Sequence, residues 1–70
     1  MKFVKVESST VAEVGYDYEN KGLEVHFKNG REYIYENVPV EVYAKMLEAD
    51  SKGKYLNESV IGRYTYARTK

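Results

Sequence analysis

Apolar and polar residues alternate with a period of two along residues 23–35. The segment L-E-V-H-F-K alternates over residues 23–28, the pattern of a strand with one buried face. A second alternation, Tyr33-Ile34-Tyr35, follows after Asn29-Gly30, a dipeptide that favours tight hairpin turns because both residues tolerate positive φ. The pattern therefore predicts a β-hairpin as the centre of the fold.

Two registers are compatible with this hairpin, and they place its tyrosines on opposite faces. With a two-residue loop at Asn29-Gly30, His26 lies opposite Tyr33, and Tyr33 and Tyr35 join basic side chains on a polar surface. With a three-residue loop closed by a glycine bulge, Val25 lies opposite Tyr33, and both tyrosines enter the core. The second register gathers the large apolar side chains on one face, so it is the favoured one.

The alternation over residues 11–18 predicts another strand, joined to the hairpin by the turn at residues 19–22. Residues 1–9 carry a weaker pattern, compatible with a short strand or a docked arm. Tyr64-Thr65-Tyr66 repeats the aromatic alternation and predicts a last short strand or an extended tail. Because the connections are short, the strands are expected to follow one another in an antiparallel meander.

A helix follows the sheet. Pro39 suits the first turn of a helix, and apolar residues then recur at i, i+3, i+4 and i+7 from Val40 to Leu47. The pattern predicts one main helix from about Val40 to Ala49, with Gly53 as the residue that stops it.

A short helical turn is expected from Glu58 to Ile61, with Asn57 as its N-cap. Together the patterns predict a single α+β domain over residues 1–70, in which a three- to four-stranded antiparallel β-meander is covered on one face by the main helix.

Composition limits the available chemistry. Seventy residues bury a marginal core, and eight tyrosines with two phenylalanines supply much of the area that such a core needs. The absence of cysteine excludes disulfides, thiolate catalysis and thiolate metal sites. The N-terminal residues contain no apolar run typical of a signal peptide or a membrane span, so we expect a soluble, cytoplasmic protein with no membrane partner.

Charge is unevenly distributed along a chain whose net charge is zero. Residues 1–49 carry six basic and nine acidic side chains, a balance of −3, and residues 50–70 carry five basic and two acidic ones, a balance of +3. The positive charge of this C-terminal third is too small for its electrostatic field alone to predict nucleic-acid binding.

The amino-acid sequence contains no recognisable catalytic motif. His26 is the single histidine, and no serine or carboxylate spacing places it in a triad, so it is interpreted as a solvent-facing strand residue. One histidine with scattered carboxylates predicts no metal site, and Lys52-Gly53-Lys54 lacks the spacing of a phosphate loop. The sequence therefore predicts a protein without catalytic residues or cofactors.

Several short motifs in a fixed order resemble one known family. They are Ser8-Ser9, V-G-Y-D at residues 14–17, L-x-V-x-F at 23–27, Y-x-Y at 33–35, Val38-Pro39, and S-x-G-K-Y-x-N at 51–57. In this order they are similar to the KTSC domain, which occurs at the C-terminus of some lysyl-tRNA synthetases and as small stand-alone proteins. The resemblance implies that Tyr33, Tyr35, Ser51, Gly53 and Asn57 are motif residues, and its synthetase context implies a role in RNA binding.

Binding of RNA or another single-stranded nucleic acid is the leading functional hypothesis. Single strands are held by aromatic faces interleaved with lysine and arginine. The residues with that composition are Lys52, Lys54, Tyr55, Arg63, Tyr64, Tyr66 and Arg68. In a competing interpretation the three tyrosines pack beneath the helix and the charges stay in water. The alternative function is protein–protein interaction or a homodimer, with the strand at residues 11–18 as an exposed edge.

Overall fold

Five antiparallel strands form one sheet in sequential order. The structure is a computed structural model that describes residues 2–69, so Met1 and Lys70 lie outside it. The strands are β1 (Phe3–Lys5), β2 (Val11–Asp17), β3 (Gly22–Phe27), β4 (Glu32–Tyr35) and β5 (Tyr66–Arg68), and each pairs with its neighbours in the chain. The α+β meander is confirmed, but the expected count of three to four strands was too low. The two outermost strands have three residues each, and the last one begins at Tyr66, so Tyr66 is the one residue of the expected Tyr64-Thr65-Tyr66 segment that lies in a strand.

The central hairpin adopts the glycine-bulge register, as favoured from the sequence. Val25 lies opposite Tyr33. The Gly30 N–H donates to the Phe27 carbonyl at 3.0 Å, and the Phe27 N–H donates to the Arg31 carbonyl at 2.9 Å. Gly30 has φ +93°, a conformation that glycine adopts without strain. The turn thereby places Tyr33 and Tyr35 on the face that packs against the helices.

A bulge in β2 adds an apolar residue to that same face. Val11 pairs with Phe27, whereas Glu13 pairs with His26, so the register shifts between Val11 and Glu13. Simple alternation would place Val11 and Val14 on opposite faces, yet both are buried. The extra residue in the bulged strand resolves this conflict by re-aiming one side chain.

The first helix, α1 (Val40–Glu48), matches the expected one to within a residue. It begins directly after Pro39. The chain then becomes extended at Ala49, which has φ −68° and ψ 140°. Gly53 therefore does not stop this helix, and that prediction was wrong.

The second helix, α2 (Lys52–Ser59), replaces the short turn expected from Glu58 to Ile61. Its N-cap is Ser51, whose hydroxyl accepts a hydrogen bond from the Lys54 N–H at 3.3 Å. Asn57 is an interior residue of α2 and not a cap, so that prediction was also wrong. The serine cap explains why the helix starts early, because it satisfies an N–H of the first turn.

The core lies between the two helices and one face of the sheet. Its buried residues are Val11, Val14, Tyr16, Leu23, Val25, Tyr35, Val38, Tyr43, Met46, Leu56 and Val60. We call the covered face of the sheet the helix-side face and the opposite one the open face. No helix among residues 2–69 has the length and apolarity needed to cross a membrane.

Candidate nucleic-acid interface

A row of aromatic rings crosses the edge of the helix-side face. The ring centroids of Phe27 and Tyr33 are 5.5 Å apart, and those of Tyr33 and Tyr66 are 4.9 Å apart. Tyr35 lies 5.6 Å from Tyr66 but is only 2% exposed, whereas Tyr66 on the outermost strand is 57% exposed. We call Phe27, Tyr33 and Tyr66 the aromatic row. Its last ring offers a face to solvent on which a base can stack.

A guanidinium lies beside this row. Arg68 is opposite Tyr33 across the β4–β5 pair, and Tyr66 is opposite Tyr35. Residues directly opposite one another project from the same face of a sheet, so Arg68 shares the helix-side face with the aromatic row. The β5 strand thus places an aromatic ring and a cation on the same face.

The predicted lysines lie at the start of α2. Lys54 is exposed in the first turn. The Lys52 Nζ donates to the Ala49 carbonyl at 2.7 Å, directly after α1 ends. A cation there interacts favourably with the negative end of the α1 dipole, so Lys52 has a structural role at the junction between the helices.

The remaining predicted residues lie within α2 and in the segment that follows it. Arg63 is exposed, and its Nε donates to the Glu58 carbonyl at 2.8 Å. Tyr55 and Tyr64 are half-buried against the core. The structure therefore places Tyr66 and Arg68 together on β5, keeps Lys52 and Lys54 at one end of α2 and Arg63 near the other, and turns two tyrosines inward.

Two of the five family-motif residues, Gly53 and Asn57, line a cleft beside α2. The cleft has a volume of about 350 Å³, and its lining residues are Ser9, Thr10, Phe27, Lys28, Asn29, Gly53, Leu56, Asn57 and Ile61. We call it the motif cleft. Because Phe27 belongs both to this lining and to the aromatic row, the cleft and the row form one continuous surface.

Close packing at Gly53 shapes one wall of the motif cleft. A Cβ atom at this position would lie 3.2 Å from the Thr10 Oγ1 and 3.3 Å from the Ser8 Oγ. The Ser8 hydroxyl is held in place because it accepts hydrogen bonds from the N–H groups of Thr10 and Val11, both at 3.2 Å. Glycine lets α2 closely approach the loop before β2, which holds Ser8 and Thr10. Packing alone therefore explains the glycine of the S-x-G-K-Y-x-N motif, without any ligand.

Sequence reasoning missed the part of this surface that the hairpin turn contributes. Phe27, Lys28 and Asn29 enter the motif cleft because the Lys28 N–H donates to the Thr10 carbonyl at 2.8 Å, which brings the hairpin turn next to the loop before β2. The L-x-V-x-F run marked Phe27 as important, but nothing in the local pattern indicated the contact between hairpin and loop.

The open face has a different electrostatic character. His26 was expected to face solvent, but its side chain is only 17% exposed and contacts three carboxylates. Burial alone would lower the pKa of His26, but its hydrogen bonds with Glu24 and Glu13 and the charge of Glu32 raise that pKa overall. These carboxylates, expected to be scattered, are gathered on one face. Their charge opposes phosphate binding on the open face.

Comparison with known proteins identifies the family. Residues 7–64 match the KTSC domain. An uncharacterized protein of Stutzerimonas stutzeri is 48% identical over 58 residues, which cover 83% of this chain and 82% of that protein. A lysine–tRNA ligase of Trichormus variabilis is 32% identical over 63 residues, which cover 90% of this chain but 11% of the ligase. The crystal structure of a KTSC domain protein from Yersinia pestis superimposes with a TM-score of 0.92 at 28% identity, covering 99% of this chain and 97% of that one. The sequence match and the shared fold together show that the chain belongs to the KTSC domain family.

Proposed function

We propose that this chain is a small non-enzymatic module that binds RNA or another single-stranded nucleic acid on the aromatic row and in the motif cleft. The observation that supports it most directly is Tyr66, which is 57% exposed, in ring contact with Tyr33 and on the same face as Arg68. Relatives named as lysine–tRNA ligases support a nucleic-acid setting for this domain. A cytoplasmic location fits such a setting and a chain without cysteine.

The proposed binding mode separates stacking from charge neutralisation. A base stacks on Tyr66, and the next nucleotide follows the aromatic row toward the motif cleft. Arg68 and Lys28 neutralise phosphates, and Asn29 and Asn57 offer amide groups that can hydrogen-bond to base edges. Removal of one stacking ring is expected to cost about 1–3 kcal/mol of binding free energy.

The direct test is a titration with labelled single-stranded RNA. Fluorescence anisotropy of an oligouridine of about a dozen nucleotides gives the affinity at about 50 mM and about 200 mM salt. We expect binding at low salt, loss of affinity as salt rises, and an affinity at least about fivefold lower for Tyr66→Ala.

The matched control is Tyr18→Ala. Tyr18 is 69% exposed, but it lies directly after the end of β2 and lines a different groove. This variant tests whether any exposed tyrosine contributes equally to RNA affinity. The proposal fails if wild type shows no binding at low salt, or if the two alanine variants lose the same affinity.

Protein interaction is the second candidate function, and Tyr18 favours it. Tyr18 and Val4 are exposed apolar residues on a groove of about 710 Å³ that also contacts Tyr43 and Leu47. The edge expected at residues 11–18 does not exist, because β2 pairs on both sides, with β1 and β3. Sedimentation at increasing protein concentration, repeated at low and at high salt, distinguishes the candidates. Self-association through an apolar contact should respond little to salt, unlike RNA binding.

A further inference from the structure

Three carboxylates surround His26 on the open face. The His26 Nδ1 lies 2.8 Å from the Glu13 Oε2, and its Nε2 lies 2.6 Å from the Glu24 Oε2 and 3.8 Å from the Glu32 Oε1. All four side chains are half-buried. Phe3 on β1 stacks on the imidazole with a centroid distance of 4.6 Å and further limits the movement of the ring.

Backbone pairing positions this cluster. Glu13 on β2 and Glu32 on β4 lie directly opposite His26 on β3. Glu24 precedes His26 by two residues on the same strand and so projects from the same face. Four side chains from three adjacent strands therefore converge because of the sheet register, which is more rigid than a loop.

The contacts leave the cluster with an excess of negative charge. Both ring nitrogens of His26 lie within hydrogen-bond distance of a carboxylate oxygen, from Glu13 and from Glu24. With Glu32, three carboxylates thus face a single imidazole ring. Lys5, exposed on β1 opposite Glu13, is the cation that the pairing brings to this side. A divalent cation would neutralise this excess better than a single proton does.

We propose that Glu24, His26 and Glu32 form a binding site for one divalent transition-metal ion of the Zn²⁺ class. In this site the ion takes the place of the proton on the His26 Nε2, and one carboxylate oxygen from each glutamate completes a three-ligand set. Water occupies the remaining position, as in zinc sites with three protein ligands.

The distances suit such an ion after small side-chain adjustments. Zinc binds nitrogen and carboxylate oxygen at about 2.0–2.2 Å, so tetrahedral ligand atoms lie roughly 3.3 Å from one another. One candidate ligand atom from each of Glu24, His26 and Glu32 lies within 4.8 Å of the others. The 2.6 and 3.8 Å separations from the Nε2 bracket the required value, and rotation of the two glutamate side chains can adjust both.

Glu13 supplies the outer partner that metal-binding histidines typically have. Its contact with the Nδ1 remains when the Nε2 binds the ion, because the Nδ1–H donates to the Glu13 carboxylate. This hydrogen bond fixes the ring orientation and increases the basicity of the ligand nitrogen. The imidazole ligand favours zinc-like ions over Mg²⁺ and Ca²⁺, which prefer oxygen.

The proposed ligands are not among the residues that carry the KTSC resemblance. Glu24 and His26 occupy the variable positions of the L-x-V-x-F run, and Glu32 precedes the Y-x-Y motif. The site is therefore proposed for this chain and not for the family. It lies on the face opposite the aromatic row, so it stands or falls independently of nucleic-acid binding.

The experiment is a Zn²⁺ titration of the tag-free full chain in competition with a zinc indicator dye, without RNA. We expect one ion per chain, and an affinity at least about tenfold lower for both His26→Gln and Glu32→Gln. Glu13→Gln is expected to weaken binding without abolishing it. Glu48→Gln, which removes a carboxylate from α1, is the control and should bind like wild type.

Circular dichroism establishes that each variant is folded, and Glu32→Gln keeps the test decisive if His26→Gln unfolds. A Mg²⁺ titration in the same assay should show much weaker binding. The proposal is overturned if wild type binds no zinc, or if the Glu32→Gln and Glu48→Gln variants bind it equally.

Discussion

The hydroxyl of Tyr16, on the second strand, donates a hydrogen bond to the backbone carbonyl of Val38, the residue that leads from the sheet toward α1. Both residues are buried. The Val38 N–H in turn donates to the Lys21 carbonyl at 2.9 Å, so the segment before α1 is bound both to β2 and to the turn between β2 and β3. This connection determines where α1 starts relative to the core.

Replacement of Tyr16 by phenylalanine should destabilise the protein by about 1–3 kcal/mol, because it leaves the buried Val38 carbonyl without this donor. Urea unfolding followed by circular dichroism measures the change. Tyr18→Phe removes a hydroxyl from a side chain that is 69% exposed and should change the free energy of unfolding by less than about 0.5 kcal/mol. Equal losses in the two variants would contradict a role for the Tyr16 hydrogen bond.

Gly53→Val tests the close approach of α2 to the loop before β2. Helix propensity alone would slightly favour valine over glycine. The new side chain would meet the hydroxyls of Thr10 and Ser8, so we expect a net loss of about 1–3 kcal/mol in the free energy of unfolding. Lys54→Val at the next, exposed position of the helix is the control and should change stability by less than about 0.5 kcal/mol. A Gly53→Val variant as stable as wild type would show that the loop yields.

Lys21→Gly should stabilise the chain by up to about 1 kcal/mol. Lys21 has φ +57°, in the left-handed region that costs a side-chain-bearing residue about 1–2 kcal/mol. Part of that gain is offset by the greater freedom of glycine in the unfolded chain. Lys45→Gly, in the last turn of α1, should instead cost up to about 1 kcal/mol. Thermal unfolding shows whether each variant is more or less stable than wild type. A loss of stability in Lys21→Gly would contradict the strain argument.

The sheet could be predicted from the sequence because its side-chain pattern and turn chemistry agree. The apolar residues around Val25 and Tyr33 fit only one register if they are to share a face, and Gly30 permits the turn that this register needs. The second helix could not be predicted in the same way. Gly53 in α2, taken alone, suggests the end of a helix. The position needs glycine because it packs closely against Thr10, which lies more than forty positions away in the chain.

The candidate site was predictable only in part, for the same physical reason. Tyr66 and Arg68 were selected from local composition, and their common face followed from strand alternation. The motif cleft and the carboxylates around His26 depend on contacts between strands and loops that are distant in sequence. Only the strand pairing showed that Glu13 and Glu32 flank the same histidine.

Buried tyrosines should make the fold sensitive to alkaline pH. Burial raises the pKa of Tyr35 from 10.0 to about 12, and the nearby Tyr33 and Tyr66 phenols add to that rise. Burial also raises the pKa values of Tyr16 and Tyr43. Because the folded pKa of Tyr35 exceeds the unfolded one, its contribution to stability is fully present below pH 10 and is lost as the pH rises toward 12.

Urea unfolding at a series of pH values from 9 upward, with tyrosinate absorbance recorded in parallel, measures this loss. Tyr35→Phe cannot ionise at that position, so its stability should fall less steeply between pH 10 and 12 than that of wild type. Tyr18→Phe lacks an exposed hydroxyl and should stay closer to the wild-type slope than Tyr35→Phe does. If Tyr35→Phe also keeps that slope, the alkaline instability has another origin, and the phenol of Tyr35 is not held neutral by its burial.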